Sequence, residues 1–252
     1  MVRSDWAENT HPDLRSIDPD ETVILVPTGA VEQHGHHLPV GTDALIAEAV
    51  TRTAAERSEH ALAVPALPYG YSPHHGGLEG TMTLSSETYL GVVSDLLESL
   101  VDEGFERVAI VNGHGGNRSL LKTAVSDFRD SRDVSVAVLS YWDLIPEELE
   151  GLRDSPSGGI SHGGELETSL LLYLDEELVD SDREDFVRDD REEYLRTDLF
   201  GRGAVYYPQH FAEMTETGVS GHPSSASPRK GGEMFEATVA ALTEFVESYQ
   251  SW

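Results

Sequence analysis

The chain is 252 residues long, sets 46 acidic against 17 basic side chains for a formal net charge of −29, and has no cysteine. That length suits one α/β domain, residues 1–252, with a sizeable core. Absent thiols exclude disulfides and thiolate metal sites. The charge opposes nucleic acid as a partner, and no apolar run reaches the ~18 residues a membrane span needs.

In chain order, residues 1–20 are polar and acidic, with no basic segment leading into an apolar one, so no secretory signal is read there. Residues 23–26 are an apolar strand, and 42–57 have helical spacing with a cap at Thr42 or Asp43. A short strand is expected at 62–67. Residues 86–103 repeat apolar positions at Leu90, Val93, Leu97 and Val101, which is an amphipathic helix. A strand at 108–111, a helix at 117–130, a strand at 134–141, a helix at 165–173 and a long helix at 232–252 complete the alternation. Residues 175–198 are acidic and weakly apolar, a solvated excursion or an oligomer-facing insertion, and 201–208 read as a hairpin. Strand–helix alternation predicts a three-layer α/β/α fold with a mostly parallel sheet. Ligands gather at the carboxyl ends of strands in such sheets.

Lysine occurs only at Lys122 and Lys230. Acid is spread along the whole chain, which fits a solvated surface suited to a halophilic cytoplasm; a face for a cationic partner is the alternative. Salt at molar strength shortens the Debye length to ~3 Å and screens self-repulsion. The melting temperature is therefore expected to rise from dilute buffer to multimolar KCl, and equal values would contradict this. The protein is expected to be soluble and cytoplasmic.

Three segments carry chemistry. In the run EQHGHHLPVGTD (32–43), Glu32 and His34 are two apart on an extended chain and share a face. Asp43 follows a turn at Pro39 and Gly41, and its two oxygens suit a bridge between two ions. In VNGHGGN (111–117), a strand delivers His114 among glycines that let the backbone approach closely. In SHGGELETS (161–169), His162 and Glu165 are three apart at a helix start. Mixed carboxylate and imidazole donors suit a divalent ion such as zinc, manganese or iron. Gly113, Gly115 and Gly116 lack the spacing and trailing acid of a dinucleotide fingerprint.

Together these three runs resemble the creatininase (creatinine amidohydrolase) family. YSPHH (71–75), GTMTL (80–84), TGVSGHP (217–223) and KGG (230–232) fit the same pattern. The resemblance implies a metal-dependent amidohydrolase with two divalent ions sharing Asp43. Glu32 and His114 would hold one ion and His34 the other; because this chain departs from the family at Gly116, either one ion keeps an extra water or Glu165 supplies the missing donor, with Glu167 as the alternative to Glu165. Water activated between the ions attacks a small amide, and His162 protonates the leaving nitrogen. Trp142 is a candidate wall of the substrate pocket, or a core aromatic. His36 reads as a neighbour of the ligands. His74 and His75 are substrate contacts or solvated loop, and Asn112 and Asn117 orient ligands or serve the turn. The family's namesake carries a glutamate two residues after the histidine matching His114, where this chain has Gly116.

The family's activities include creatinine hydrolysis, a formamide-cleaving deformylase and trimming of the mycofactocin precursor peptide. This sequence leans toward a formamide-type substrate. Family resemblance also implies a homo-oligomer, often a hexamer. A non-catalytic metal-binding or assembly protein on the same fold is the reading from a different class.

Overall fold

The computed structural model describes residues 2–187, 194–195, 198–201 and 203–252. The apolar runs form β1 (Val23–Thr28), β2 (Ala61–Ala63), β3 (Arg107–Asn112) and β4 (Ser135–Ser140). They make one sheet in the order β2-β1-β3-β4, with every pairing parallel. The helices are α1 (His11–Leu14), α2 (Thr42–Arg57), α3 (Ser86–Asp102), α4 (Arg118–Ser131), α5 (Pro146–Leu152), α6 (Glu165–Leu174), α7 (Phe211–Met214) and α8 (Pro228–Tyr249).

The central strands are apolar throughout because both sheet faces are covered. Ile24, Val26, Val108 and Ile110 meet Tyr89, Val93 and Leu97 of α3 and Leu121 and Phe128 of α4. Val23, Leu25 and Ala109 pack on the opposite face against Ala55 of α2 and Val246 and Tyr249 of α8. A larger apolar cluster on that side joins Ile46 and Val50 of α2, Leu166 and Leu170 of α6, and Met234, Val239 and Leu242 of α8. This is the expected α/β/α layering. Among the described residues no helix is long and apolar enough to cross a membrane.

Differences from the sequence expectation have local causes. β2 ends at Ala63, two residues before Pro65, which has no N–H to give a ladder; Leu67 rejoins β1 through a single parallel bridge to Thr28. The last helix starts at Pro228 because the Ser227 side chain accepts from Lys230 N and proline suits the first turn. Gly231 is then a point of close approach, since a Cβ there would lie 1.8 Å from the Ser169 carbonyl oxygen of α6. The hairpin expected at 201–208 is not formed by the described residues: Val205 pairs in parallel with Leu195. Within 175–198, Asp198 is buried and accepts from Arg153 and from the Gly158 and Ile160 amides.

From β1 the chain crosses to β2 on one side and then returns past β1 to β3 on the other. The carboxyl ends of β1 and β3 therefore flank a topological switch point, where open α/β sheets hold ligands.

Candidate metal centre and active site

Two glycines bring the start of α2 onto that switch point. A Cβ at Gly29 would lie 2.4 Å from Ala44 N, and one at Gly113 2.4 Å from Asp43 O. The bare backbones after β1 and β3 thus seat the first turn of α2 and fix Asp43. Asn112, at the end of β3, clamps the His114 backbone: its Oδ1 accepts from His114 N at 3.1 Å and its Nδ2 donates to His114 O at 2.7 Å. Asn117 ties the neighbouring loops, donating to Gly29 O at 3.0 Å and accepting from Tyr71 N at 2.9 Å. Glu32 enters from the β1–α2 connection, where its N–H donates to Val40 O.

Asp43 stands between two donor groups. Its Oδ1 is 3.0 Å from His34 Nε2, and its Oδ2 is 3.0 Å from His114 Nδ1. Glu32 Oε2 lies 3.2 Å from His114 Nε2; Glu32 Oε1 lies 3.1 Å from His75 Nε2 and 3.5 Å from His162 Nδ1. Glu167 Oε2 lies 4.0 Å from His34 Nε2 and accepts from Gly163 N at 2.7 Å. The sets Glu32–Asp43–His114, His34–His162–Glu167 and Glu32–His75–His162 each offer donor atoms within 4.8 Å of one another, all buried.

These donors fit a divalent cation. Both oxygens of Glu32 and Oδ2 of Asp43 are buried and accept no hydrogen bond among the described residues. The imidazole nitrogens of His75, His114 and His162 face them at 3.0–3.5 Å. Buried carboxylate oxygens that accept no hydrogen bond are costly. A cation placed among oxygen and nitrogen donors removes that cost.

The local charges agree. Burial alone would push His34 toward neutrality, but Asp43, with Glu167 and Glu32 behind it, lifts the imidazole to about 10. His114 is likewise raised well above its ordinary value, with Glu32 and Asp43 outweighing burial. Burial favours the neutral form of Asp43, yet His34 and His114 hold it well below the usual carboxylate range. Burial lifts Glu167 to about 7 against the pull of His34. His162 and His75 are both held far below the ordinary histidine value, by burial first and then by neighbouring imidazoles. The site thus draws positive charge to His34 and His114, where bound cations would sit.

Glu165 requires a correction. Its carboxylate is turned away from the donors and paired with Lys230 of α8, and it also accepts from Asp154 N and Ser155 N. Glu167 is the acid of α6 that reaches the centre. Residues 165 and 167 are about 200° apart around a helix, so only one can face the cavity. Trp142 also departs from expectation. It is wholly buried in the core with its ring against Tyr141, and it does not line the cavity. His36 is exposed and pairs with Asp182 at 3.2 Å. His37 is buried against Thr168, and burial pushes it down to about 4.

The sequence reading missed two contributors, Gln33 and Phe211, and left the part played by His75 open. Gln33 is buried, and its amide donates to His75 Nδ1 at 2.9 Å and to Gly218 O at 3.0 Å. Gly218 must be glycine here: φ is +85°, and a Cβ would overlap the Gln33 amide. His75, read as a substrate contact or a solvated loop residue, presents Nε2 to Glu32. Phe211 stacks on His75 at 4.3 Å and against His162 at 4.7 Å, walling a cavity of about 390 Å³. His74 stacks on His114, and burial pushes it down to about 4.

Buried carboxylates and imidazoles meeting on one aspartate, at the switch point of a parallel sheet, define a metal-dependent hydrolase centre. The family model for creatinine amidohydrolase matches residues 7–246, and the chain belongs to this creatininase family. Creatinine amidohydrolase of Pseudomonas putida is 36% identical over 178 residues, which cover 65% of this chain and 68% of that one. The mycofactocin precursor peptide peptidase of Mycobacterium tuberculosis is 32% identical over 226 residues, 86% of this chain and 81% of that one. A manganese form of creatininase aligns with a TM-score of 0.80 at 29% identity, covering 98% of both chains. A zinc–zinc form of a creatininase variant aligns at 0.81 with the same identity and coverage. The chain is a metal-dependent amidohydrolase of this family.

Proposed function

We propose that this chain hydrolyses a C–N amide bond in a small molecule, of the formamide type in preference to creatinine. The convergence of two donor groups on Asp43, with buried carboxylate oxygens that accept no hydrogen bond, carries the reading. Glu32, Asp43 and His114 would hold one divalent ion, and His34, Asp43 and Glu167 the other. Such ions supply an acidified water and a polarised carbonyl.

His162 is the proton carrier. Its Nε2 is anchored on the Gln33 carbonyl oxygen at 2.6 Å, which leaves Nδ1 without the proton and facing Glu32. Burial keeps the ring neutral. Nδ1 can therefore take a proton as the bond is attacked and pass it to the leaving nitrogen. Phe211 holds the ring and keeps water from its face. His162→Ala should retain the metal and lower kcat by about 10²–10⁴-fold. Elemental analysis beside kcat checks this: lost metal would make His162 a ligand, and near-normal kcat would make it structural.

Gly116 supports the substrate preference. A Cβ there would lie 2.4 Å from both His114 Nε2 and Tyr71 O, and 2.9 Å from His74 Cε1. No carboxylate fits where the namesake enzyme has its glutamate, so the donor comes from α6 through Glu167. A small cyclic substrate has few contacts to absorb that change, and small misplacements of reacting groups cost on the order of 10²-fold. In a panel of formamides, creatinine and short peptides, kcat/KM for a formamide should exceed that for creatinine by about 10²-fold. Robust creatinine turnover would overturn the preference. The peptidase relatives, aligned over 86% of this chain, favour peptide hydrolysis as the second reading; turnover of peptides alone would select it. Metal binding without turnover of anything in the panel would favour the non-catalytic reading.

A further inference from the structure

The cavity opens beside α4 onto a second, larger hollow of about 1020 Å³, and the two share Gly115, Ser119, Tyr206 and Tyr207. Arg118 and Lys122 line the outer hollow. They are four residues apart on α4 and so lie on one face. Arg118 is held in place: it donates to Leu199 O at 3.0 Å, pairs with Asp143, and lies 5.8 Å from the Trp142 ring centroid. Lys122 is exposed and has no ion-pair partner among the described residues. The other lysine, Lys230, is buried between Asp154 and Glu165. In a chain of net charge −29, the hollow's lining among the described residues sets Arg118 and Lys122 against the single acid Asp143, which Arg118 pairs, so Lys122 leaves the mouth of the site with a net positive charge. The long-range field of this protein repels anions, so an anion bound here has to be held by contact.

We infer that Arg118 and Lys122 form an anion-holding subsite at the mouth of the cavity, so that the amide substrate carries a carboxylate or phosphate group distant from the scissile bond. This rests on the amide-hydrolase reading above and narrows its substrate class. Lys122 supplies the mobile, uncompensated charge, while Arg118, whose charge is offset by Asp143 on the same hollow, adds only the N–H groups that Asp143 and Leu199 O do not use. Tyr206 and Tyr207, half to fully exposed on the same hollow, offer aromatic faces to the part of the substrate between anion and amide.

The test measures Kd by NMR titration of the metal-loaded protein with phenyl phosphate, phenylacetate and benzyl alcohol, for wild type, Lys122→Gln and Lys122→Glu. Contact of an anion with the metal centre is common to all three proteins, so the differences report Lys122. Both anions are expected to bind about fivefold more weakly to Lys122→Gln, the order of one exposed ion pair, and more weakly still to Lys122→Glu. Benzyl alcohol should bind all three alike. A change confined to phenyl phosphate or to phenylacetate identifies which anion the subsite takes. Unchanged anion binding, or an equal change for benzyl alcohol, overturns the inference. Because this readout is binding, a chain that holds anions through Lys122 yet cleaves nothing in the amide panel keeps the subsite and loses the hydrolase reading.

Discussion

Asp43→Ala is expected to strip both ions from the protein and to lower kcat/KM by at least about 10³-fold, as loss of several kcal/mol of metal-derived stabilisation implies. Asp43 offers Oδ1 beside His34 and Oδ2 beside His114, each at 3.0 Å. Its loss takes one donor from each group and one of the three carboxylates that offset the ions' charge. Glu32→Ala, by contrast, removes a donor from the sets that contain His114 and His75 but not from His34–His162–Glu167. The fold should survive, because Gly29 and Gly113 pack against the backbone at 43–44 and not against the carboxylate. Asp43→Asn is the size-matched control, since a neutral amide cannot bridge two cations. Elemental analysis after dialysis, with melting temperature recorded on the same samples, checks the claim. Full metal content in a folded Asp43→Ala protein would remove the shared-aspartate centre.

Local signals made much of this legible in the sequence. Residues 42–57 were readable to both ends because alanines and a helical apolar spacing run between a Gly41 entry and an extended Ser58 exit. Glu32, His34 and His114, which the structure brings together, follow strands closely in the sequence, and Asp43 closes the same dense run of donor types at the start of α2. Long-range packing hid the rest. Gln33 is not a metal-ligand type, and its value comes from Gly218, 185 residues away. Phe211 reaches the site through a short helix that no periodicity marks. Spacing suggested Glu165, but Gly163 takes φ +63° and turns the chain before α6 begins. That turn sends residue 165 to the α8 side and residue 167 to the cavity. Trp142 stood open in the sequence between pocket wall and core aromatic, and a tight turn at Tyr141–Leu144 folds it into the core.

The two acids of α6 should therefore separate cleanly. Glu165→Ala is expected to destabilise the protein by about 3 kcal/mol, the low end for breaking a buried ion pair because the exposed Asp154 carboxylate still faces Lys230, and to leave metal content intact. Glu167→Ala should do the reverse, losing metal with a much smaller change in stability. Lys230 is 3% exposed and Glu165 is fully buried. Their contact joins the first turns of α6 and α8, two helices that share the largest apolar cluster. At roughly 2–4 °C per kcal/mol for a domain near this size, the melting temperature of Glu165→Ala should fall by about 10 °C. Burial works against ionised Glu165, but Lys230 and the Ser155 and Asp154 amides outweigh it, so its pKa lies below the ordinary 4.5. A lowered carboxylate contributes stability that is complete above the unfolded value and is lost as pH falls through the folded one. The gap between wild type and Glu165→Ala should thus hold constant from about pH 6 to 8 and narrow only in acid. Replacing both partners, Glu165→Met with Lys230→Met, should recover much of the loss, because an apolar pair of similar volume needs no compensating charge. Melting curves and metal analysis on the four proteins decide the matter. A Glu165→Ala protein that melts like wild type but arrives without metal would return Glu165 to the centre and move Glu167 out of it.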